Sequence, residues 1–316
     1  MFVSLHKGGL FQTNYQLHTM NTTKLSLLSL GLVATGSLAT AAAEGFVLFG
    51  DNVAKPAAEE KAVRPISAPY LHEDSFVTTD LRAWYIAHEL SGGTIGGDVT
   101  VAALQVRVAL TESLQFVAYK DGYTDFDDDT AVLGGNDGWN DLGAGLKWAF
   151  IQDWEKQFHM AAGIGYEFGI GDDEVLQDTD ELRLWLSANK GFDKLHFGAT
   201  VNYIVADDTE DGILGNSDML TVHLHADYYL TEWFSPVVEV NGYFVQDEGK
   251  TGAGFSGVDA VSVGGGEDDD TITGVLGFEL RPLGDDLGLR TAYETQLNND
   301  TSLFGYRWTF SAVYEF

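Results

Sequence analysis

The chain of 316 residues contains no cysteine, only five prolines and little positive charge. The lack of cysteine excludes a disulfide-bonded scaffold, a thiolate metal site and a cysteine nucleophile. Against 48 Asp and Glu stand 17 Lys and Arg, giving a formal net charge of −31. No nucleic-acid partner is expected, because neutralising phosphates requires clustered Lys and Arg. Yet 45% of the residues are hydrophobic and 37 are glycine, which favours a folded chain rich in strands and tight turns.

Residues 1–43 are predicted to be absent from the mature protein. Met20 offers a second start, so residues 1–19 form an upstream extension. One lysine, an apolar run over residues 25–38 and several small residues follow. This order is typical of a secretory signal peptide, with cleavage near Ala41–Ala43. The apolar run is too short and too rich in Ser, Thr and Gly for a membrane anchor.

From residue 77 to the C-terminus, apolar and polar residues alternate with a period of two. The last segment shows this most clearly, because its aromatic residues share one face. That face contains Phe304, Tyr306, Trp308, Phe310, Ala312, Tyr314 and Phe316. Side chains of a strand point alternately to its two faces, so each such segment has an apolar face and a wet face. We count about twelve segments, each near the ~9–11 residues that a tilted strand needs to cross a bilayer.

The connections between these segments alternate in length. Short ones such as 111–113 and 231–233 alternate with long ones such as 125–136 and 207–217. An even-stranded up-and-down barrel has tight turns on one rim and long loops on the other. We therefore predict an all-β protein, a transmembrane up-and-down antiparallel β-barrel of about twelve strands, over residues 77–316. A secreted β-sandwich is the alternative, but the apolar face is almost free of charge and aromatics gather near the strand ends, as at a bilayer interface.

The chain ends in the sequence Val313-Tyr314-Glu315-Phe316, and here it resembles Gram-negative outer-membrane β-barrel proteins of the porin-like kind. The resemblance implies an outer-membrane location in a Gram-negative-type bacterium and contact with outer-membrane lipid and lipopolysaccharide. It also implies that the barrel-assembly machinery recognises the final strand through its terminal phenylalanine. The resemblance matches no specific porin subfamily.

Residues 44–76 have no counterpart in this resemblance. They contain three of the five prolines, and we predict an irregular periplasmic N-terminal arm. An arm of this length could reach into the barrel as a plug or tether the barrel to a periplasmic partner.

The wet face carries charges of both signs that would line the barrel interior. The candidate lumen and selectivity residues are Arg107, Lys147, Glu167, Glu181, Arg183, Glu239, Glu279, Arg281, Arg290, Glu294 and Arg307. Two arrangements stay open: a water-filled pore whose selectivity these charges set, or a lumen closed by salt bridges. Small inward residues such as Gly163 and Gly277 favour an open, narrow pore, because lumen side chains decide how a barrel of this size is filled.

The long loops are strongly acidic. The candidate external carboxylates are Asp125, Asp127, Asp128, Asp129, Asp172, Asp173, Glu174, Asp207, Asp208, Glu210, Asp211, Asp268, Asp269 and Asp270. A ring of carboxylates at a pore mouth concentrates cations, over a screening length of ~8 Å at physiological salt. The alternative is an acidic rim that keeps the loops soluble or binds Ca²⁺ or Mg²⁺ loosely. No EF-hand spacing is present, and no other cofactor is expected.

His223, His225 and Asp227 share one face of a predicted strand and are the candidate metal ligands. At ~6.5–7 Å between alternate residues, they would hold Zn²⁺ or Cu²⁺ only if neighbouring strands completed the ligand set. Ordinary polar lumen residues are the simpler interpretation. Catalysis is not expected, because the strand histidines mostly face inward and there is no Gly-x-Ser-x-Gly nucleophile elbow.

Together these features predict an outer-membrane channel for passive diffusion of small hydrophilic solutes, with acidic loops that bias access toward cations. The alternatives are a closed structural or adhesin-type barrel that binds an external ligand through its loops, and a membrane-embedded hydrolase.

Overall fold

The computed structural model describes residues 61–92, 96–130, 134–177, 179–207, 217–247, 270–284, 286–298, 302 and 304–316. Most of these residues lie in β-strands. The strands are β1 (Asp80–Leu90), β2 (Asp98–Ala109), β3 (Leu114–Lys120), β4 (Tyr123–Phe126), β5 (Asp137–Trp139), β6 (Leu142–Asp153), β7 (Phe158–Phe168), β8 (Glu181–Phe192), β9 (Leu195–Ala206), β10 (Asp218–Tyr228), β11 (Phe234–Asp247), β12 (Thr271–Leu280), β13 (Leu287–Gln296) and β14 (Phe304–Glu315). One short 3₁₀ turn covers Asp173–Val175. Among the described residues, no helix is long and apolar enough to cross a membrane.

The strands form one antiparallel sheet that closes on itself. β1 pairs with β14 on one side and with β2 on the other. β3 and β4 both pair with β2 and are two halves of one wall strand, and β5 and β6 are two halves of the next. The remaining strands pair in chain order from β6 to β14. The predicted fold, an all-β up-and-down barrel of twelve strands, is confirmed.

The connections between the wall strands have the predicted asymmetry. The short turns are 110–113, 154–157, 193–194, 229–233 and 281–286, and the long loops are 91–97, 127–136, 169–180, 207–217, 248–270 and 297–303. The start of β1 and the end of β14 pair at the short-turn rim, where Asp80 lies opposite Glu315. Short turns of outer-membrane barrels face the periplasm, so the predicted location of this chain would put the long-loop rim on the extracellular side.

The two faces of the wall alternate in burial as the sequence predicts. In β14 the outward aromatic side chains are Tyr306, Trp308, Phe310 and Tyr314, which are 37–46% exposed. Between them Arg307 and Thr309 are at most 1% exposed. In a barrel of this kind the exposed apolar face meets lipid and the other face lines the interior.

Phe304 is an exception to the predicted alternation. The alternation predicts that its side chain points outward, but the side chain is 1% exposed. The pairing of β1 with β14 shifts register between Glu89 and Leu90, and Leu90 lies opposite Phe304. A shift of one residue exchanges the two faces of a strand, so Phe304 turns into the interior.

The residues before β1 fold inside the barrel. Residues 63–77 are buried without interruption, and 61–79 contain no strand. The segment turns at Ala68, whose φ is 45° and whose carbonyl oxygen accepts the N–H of His72 at 2.8 Å. We call residues 61–79 the arm. Of the predicted N-terminal arm 44–76, the part from residue 61 is described and lies within the barrel. Residues 44–60 and the predicted signal region lie outside the described residues.

Apolar clusters and charged side chains share the interior. One apolar cluster lies in the middle and the long-loop half of the barrel, and contains Tyr70, Leu71, Trp84, Ile86, Val101, Ala103, Ile204, Tyr243 and Phe304. The tip of the arm, Tyr70 and Leu71, is part of this cluster. Burial of apolar surface stabilises the tip at ~25 cal/mol per Å², while the polar flanks of the arm contact charged wall residues.

Candidate functional site: the lumen and the arm

The predicted lumen residues lie on the inner face of the wall. Ten of them are no more than 6% exposed: Arg107, Lys147, Glu167, Arg183, Glu239, Glu279, Arg281, Arg290, Glu294 and Arg307. Glu181, the first residue of β8, is half-buried. A charge held away from water is costly unless a partner compensates it, so the partners of these groups define what the lumen can do.

One set of charges pairs within the wall. Its pairs are Arg307 with Glu294 at 2.6 Å, Arg290 with Glu279 at 2.6 Å, Arg281 with Glu279 at 2.8 Å, and Lys120 with Glu167. Glu294 and Arg307 lie directly opposite each other on β13 and β14. These ion pairs lie within the wall, and Arg281 and Arg290 also donate hydrogen bonds to carbonyl oxygens of the arm, those of Lys61 at 3.3 Å and Pro65 at 3.5 Å.

A second set of charges pairs with the arm. Arg107 holds the Glu73 carboxylate through two hydrogen bonds, Nη2 to Oε2 at 2.6 Å and Nε to Oε1 at 3.1 Å. Lys147 Nζ lies 3.0 Å from Glu73 Oε1 and 3.5 Å from Asp74 Oδ1. Arg82 Nη2 lies 3.2 Å from Asp74 Oδ2. We call these five residues the arm–wall cluster. Each of the five side chains is at most 2% exposed.

Wall side chains also satisfy the backbone of the arm. Arg183 donates to the carbonyl oxygens of Tyr70 and Leu71, to the latter at 2.7 Å. The Ser187 hydroxyl donates to the Glu73 carbonyl oxygen at 2.6 Å. Because the arm has no strand partner, its buried backbone groups need such side-chain donors. Several polar wall residues therefore serve as hydrogen-bond donors to the arm.

The candidate metal ligands His223, His225 and Asp227 take part in a hydrogen-bond network. His225 lies 3.1 Å from Asp227 through Nε2 and 2.6 Å from Glu239 through Nδ1. Both ring nitrogens of His223 lie 2.8–2.9 Å from side-chain oxygens of its neighbours. Within the described residues, no group of three or more His, Asp or Glu is arranged to hold a metal ion. The geometry of these residues is that of a polar network.

The carboxylates beside these histidines anchor the arm. Asp227 accepts the N–H of Val63 at 3.2 Å, and Glu239 accepts the N–H of Ile66 at 3.0 Å. Glu239 also accepts a hydrogen bond from the Ser67 hydroxyl. Sequence reasoning missed this role, because about 170 positions separate the partners and no residue spacing connects them. The only available signal was that an arm of this length could reach the lumen.

Neighbouring side chains fill the space beside the inward glycines. A Cβ on Gly163 would lie 2.0 Å from the Trp185 ring, and a Cβ on Gly277 would lie 2.4 Å from the Ile66 side chain of the arm. These glycines were expected to leave room along an open lumen. Instead their lack of a side chain permits close packing of a large neighbour, in one case the arm itself.

The candidate external carboxylates that are described lie at the long-loop end of the barrel. Those exposed to solvent are Asp125, Asp127, Asp128, Asp129, Asp173, Glu174 and Asp207, and those half-buried are Asp172 and Asp270. Asp208, Glu210, Asp211, Asp268 and Asp269 lie outside the described residues. The described part of the rim is thus acidic toward solvent.

Phe316 lies at the short-turn rim. Its N–H donates to the carbonyl oxygen of Thr79 at 3.0 Å, and its ring is 66% exposed.

The strand histidines lie in the interior, away from the lipid-facing rim where a lipase-type triad acts on its substrate. His159, His196, His223 and His225 are 0–4% exposed.

No family model and no curated protein matches the chain. Among solved structures, the fold is similar to an outer-membrane channel from Pseudomonas putida F1, with a TM-score of 0.58 and 14% identity over 81% of this chain and 100% of that chain. It is also similar to the NanC porin (TM-score 0.45, 10% identity, 75% and 98% covered) and the KdgM porin (TM-score 0.44, 10% identity, 74% and 99% covered). At 14% identity the first of these likenesses concerns the fold. The protein therefore has the fold of an outer-membrane β-barrel.

Proposed function

We propose that this protein is a porin-like channel, and not an enzyme, that admits small hydrophilic solutes across the outer membrane by passive diffusion. The observation that carries the proposal is the closed wall of twelve strands with charged and polar side chains on its inner face. Such a face suits water and polar solutes, whereas the outer face suits lipid. The arm lies across this route, so solutes pass when the arm shifts or through gaps beside it.

We further propose that the acidic long-loop rim favours cations at the channel mouth. Seven of its carboxylates are exposed, and Asp127, Asp128 and Asp129 are consecutive. Carboxylates grouped at a mouth raise the local concentration of cations within a Debye length, ~8 Å at physiological salt. Loose binding of Ca²⁺ or Mg²⁺ by the same carboxylates belongs to this proposal.

The test is single-channel recording of refolded residues 44–316 in planar bilayers, with a KCl gradient to give the reversal potential. We expect steady conductance and a reversal potential on the cation side. The variant Asp127→Asn/Asp128→Asn/Asp129→Asn should lose part of that preference at low salt. Asp153→Asn, at a short turn on the opposite rim, is the matched control and should leave the reversal potential unchanged. A folded, inserted protein that never conducts contradicts the channel.

A closed barrel that binds an external ligand through its loops is the second candidate. The observation that favours it is the continuous burial of residues 63–77 inside the barrel. This candidate predicts no conductance, and binding to cells or matrix that depends on the long loops and not on lumen residues. Replacement of one long loop by a short Gly-Ser turn should then abolish binding while leaving the barrel folded.

A further inference from the structure

The wall cations differ in where their ion-pair partners come from. Arg290 and Arg307 pair with carboxylates on neighbouring wall strands. Arg107 pairs with Glu73 of the arm, and Lys147 pairs with the same carboxylate and with Asp74. Within the described residues, every ion pair of Arg107 and Lys147 is made to the arm. These two wall cations are therefore neutralised by a segment that is not itself part of the wall.

The contact is built to bind carboxylates. Arg107 approaches Glu73 with two nitrogens, at 2.6 and 3.1 Å, and Lys147 approaches the same group at 3.0 Å. Bidentate pairing of Arg with a carboxylate is strong and directional. Arg82 and Lys147 both approach Asp74. Two adjacent carboxylates thus lie in a buried pocket lined by three wall cations, and Arg64 of the arm lies 4.0 Å from Asp74.

Without the arm, this part of the wall would carry excess positive charge. Of the three cations, Arg82 has a wall partner, since its Nε lies 2.7 Å from Asp80 Oδ1. Asp80 also lies opposite Arg107 in the β1–β2 register, so this one wall carboxylate would have to serve both Arg82 and Arg107, while the ion-pair partners of Lys147 would leave with the arm. Excess charge in a narrow, low-dielectric channel attracts ions of the opposite sign.

We propose that Glu73 and Asp74 latch the arm in the lumen, and that the basic patch they cover, Arg82, Arg107 and Lys147, binds carboxylate-bearing solutes when the arm leaves. This inference rests on the proposed channel function. In such a channel the arm is an autoinhibitory plug, and the basic patch selects solutes by their charge. The side chains that now occupy the patch are carboxylates, and they indicate the class of solute. The patch lies in series with the acidic rim and acts in the opposite sense, on solutes that have already passed the mouth.

The absence of cysteine permits a direct test in the full mature chain. Ser187 lies on the wall beneath the arm, is 1% exposed, and donates to the Glu73 carbonyl. In the variant Ser187→Cys, the thiol reports whether the arm covers the wall. The probes are two methanethiosulfonates of similar size, one anionic and one cationic, and the readout is the rate of modification by each.

Each probe is applied to Ser187→Cys alone and to Ser187→Cys combined with Glu73→Gln/Asp74→Asn. We expect slow modification of the first protein. The added substitutions should raise both rates several-fold, with the larger increase for the anionic reagent. The matched control is Glu167→Gln, which removes a buried wall carboxylate that pairs with Lys120 and not with the arm, and it should leave both rates near those of Ser187→Cys alone.

Three results overturn the proposal, provided that gel mobility shows that the barrel is folded. The first is an unchanged rate of thiol modification in the Glu73→Gln/Asp74→Asn background, which would mean that the two carboxylates do not hold the arm in the lumen. The second is an equal increase in modification rate for both reagents, which would mean that the patch does not prefer anionic solutes. The third is the same increase with Glu167→Gln, which would indicate general loosening. Arg107→Gln/Lys147→Gln should also raise the rates, but without preference for the anionic reagent.

Bilayer recordings on the same proteins separate this proposal from the channel function. Glu73→Gln/Asp74→Asn should raise conductance several-fold and move the reversal potential toward anions relative to wild type. If no protein conducts but the thiol rates behave as expected, the channel function fails and the latch stands. If wild type conducts and the thiol rates do not respond, the latch fails and the channel function stands.

Discussion

Leu224 gives the most direct test of which barrel face meets lipid. Its side chain is 49% exposed and lies on β10, one residue past the midpoint of an 11-residue strand. At a rise of ~3.3 Å per residue and a tilt of ~40°, such a strand crosses ~28 Å, and Leu224 lies ~2.5 Å from its centre. Replacing Leu224 with arginine puts a charge near the bilayer midplane, at an expected cost of ~2–4 kcal/mol.

The same substitution at Leu230 is the matched control. Leu230 is 51% exposed and follows the end of β10. By the same geometry β10 ends at Tyr228, ~13 Å from the centre and at the ~12 Å half-height of the apolar band, and Leu230 lies past this end in the short turn. Leu230→Arg should therefore cost only ~0–1 kcal/mol.

The assay is urea unfolding of both variants in lipid vesicles, followed by tryptophan fluorescence. The stability difference between Leu224→Arg and Leu230→Arg is the quantity of interest, since it cancels the loss of a leucine common to both. Equal unfolding midpoints for the two variants would refute the assignment of the outer face to lipid.

Three further predictions follow from the interior and the C-terminus. Gly163→Ala should destabilise the barrel by ~1–3 kcal/mol by overpacking, because the new Cβ would lie 2.0 Å from Trp185; a lower urea midpoint measures this. Glu294→Ala should cost ~3–5 kcal/mol, because it removes a carboxylate from the fully buried Arg307; the same unfolding assay measures it. Deletion of Phe316 should lower the amount of barrel assembled in cells, measured by gel mobility of outer-membrane fractions, without changing refolding of the purified protein into vesicles.

Each of these predictions has a matched control. Gly92→Ala adds a Cβ that meets nothing within 4 Å, so a loss of stability like that of Gly163→Ala would contradict the packing explanation. Asp153→Ala removes the partner of Lys156, which is 79% exposed, and should lower the urea midpoint far less than Glu294→Ala, because exposed ion pairs contribute little to stability; equal losses at the two sites would contradict the role of burial. Normal cellular assembly without Phe316 would contradict its role as an assembly signal.

The barrel could be predicted because each strand carries its own evidence. Alternation in β14 and in β7 follows from the geometry of a single strand, so the face of Tyr306 or Met160 can be assigned without knowing its neighbours. The alternation of short turns and long loops can likewise be read from the sequence. The register shift beside Leu90 could not be predicted, because it arises between two strands that lie more than 200 residues apart, and it reversed the assignment of Phe304.

The contents of the lumen could not be predicted either, because they also depend on contacts between residues that lie far apart in the sequence. The inward positions of Arg107 and Lys147 follow from alternation, but their partners, Glu73 and Asp74, lie in a segment with no period. A charged inner face is compatible with water, with cross-lumen salt bridges or with a folded segment, and the sequence of the wall is alike in all three cases. Only the distances of the arm–wall cluster distinguish them.

The division of wall charges into two sets bears on how such a barrel can remain stable and still let solutes pass. Pairs such as Glu294 with Arg307 join neighbouring strands and would remain if the lumen were empty. The pairs of Arg107 and Lys147 with the arm would not remain. Breaking a buried pair by removing one partner costs several kcal/mol, so an empty lumen would be unfavourable until water or an anionic solute replaced the arm carboxylates. The wall thus contains charge pairs that do not involve the arm, while two of its cations need an anionic partner, and that partner can be the arm or a solute.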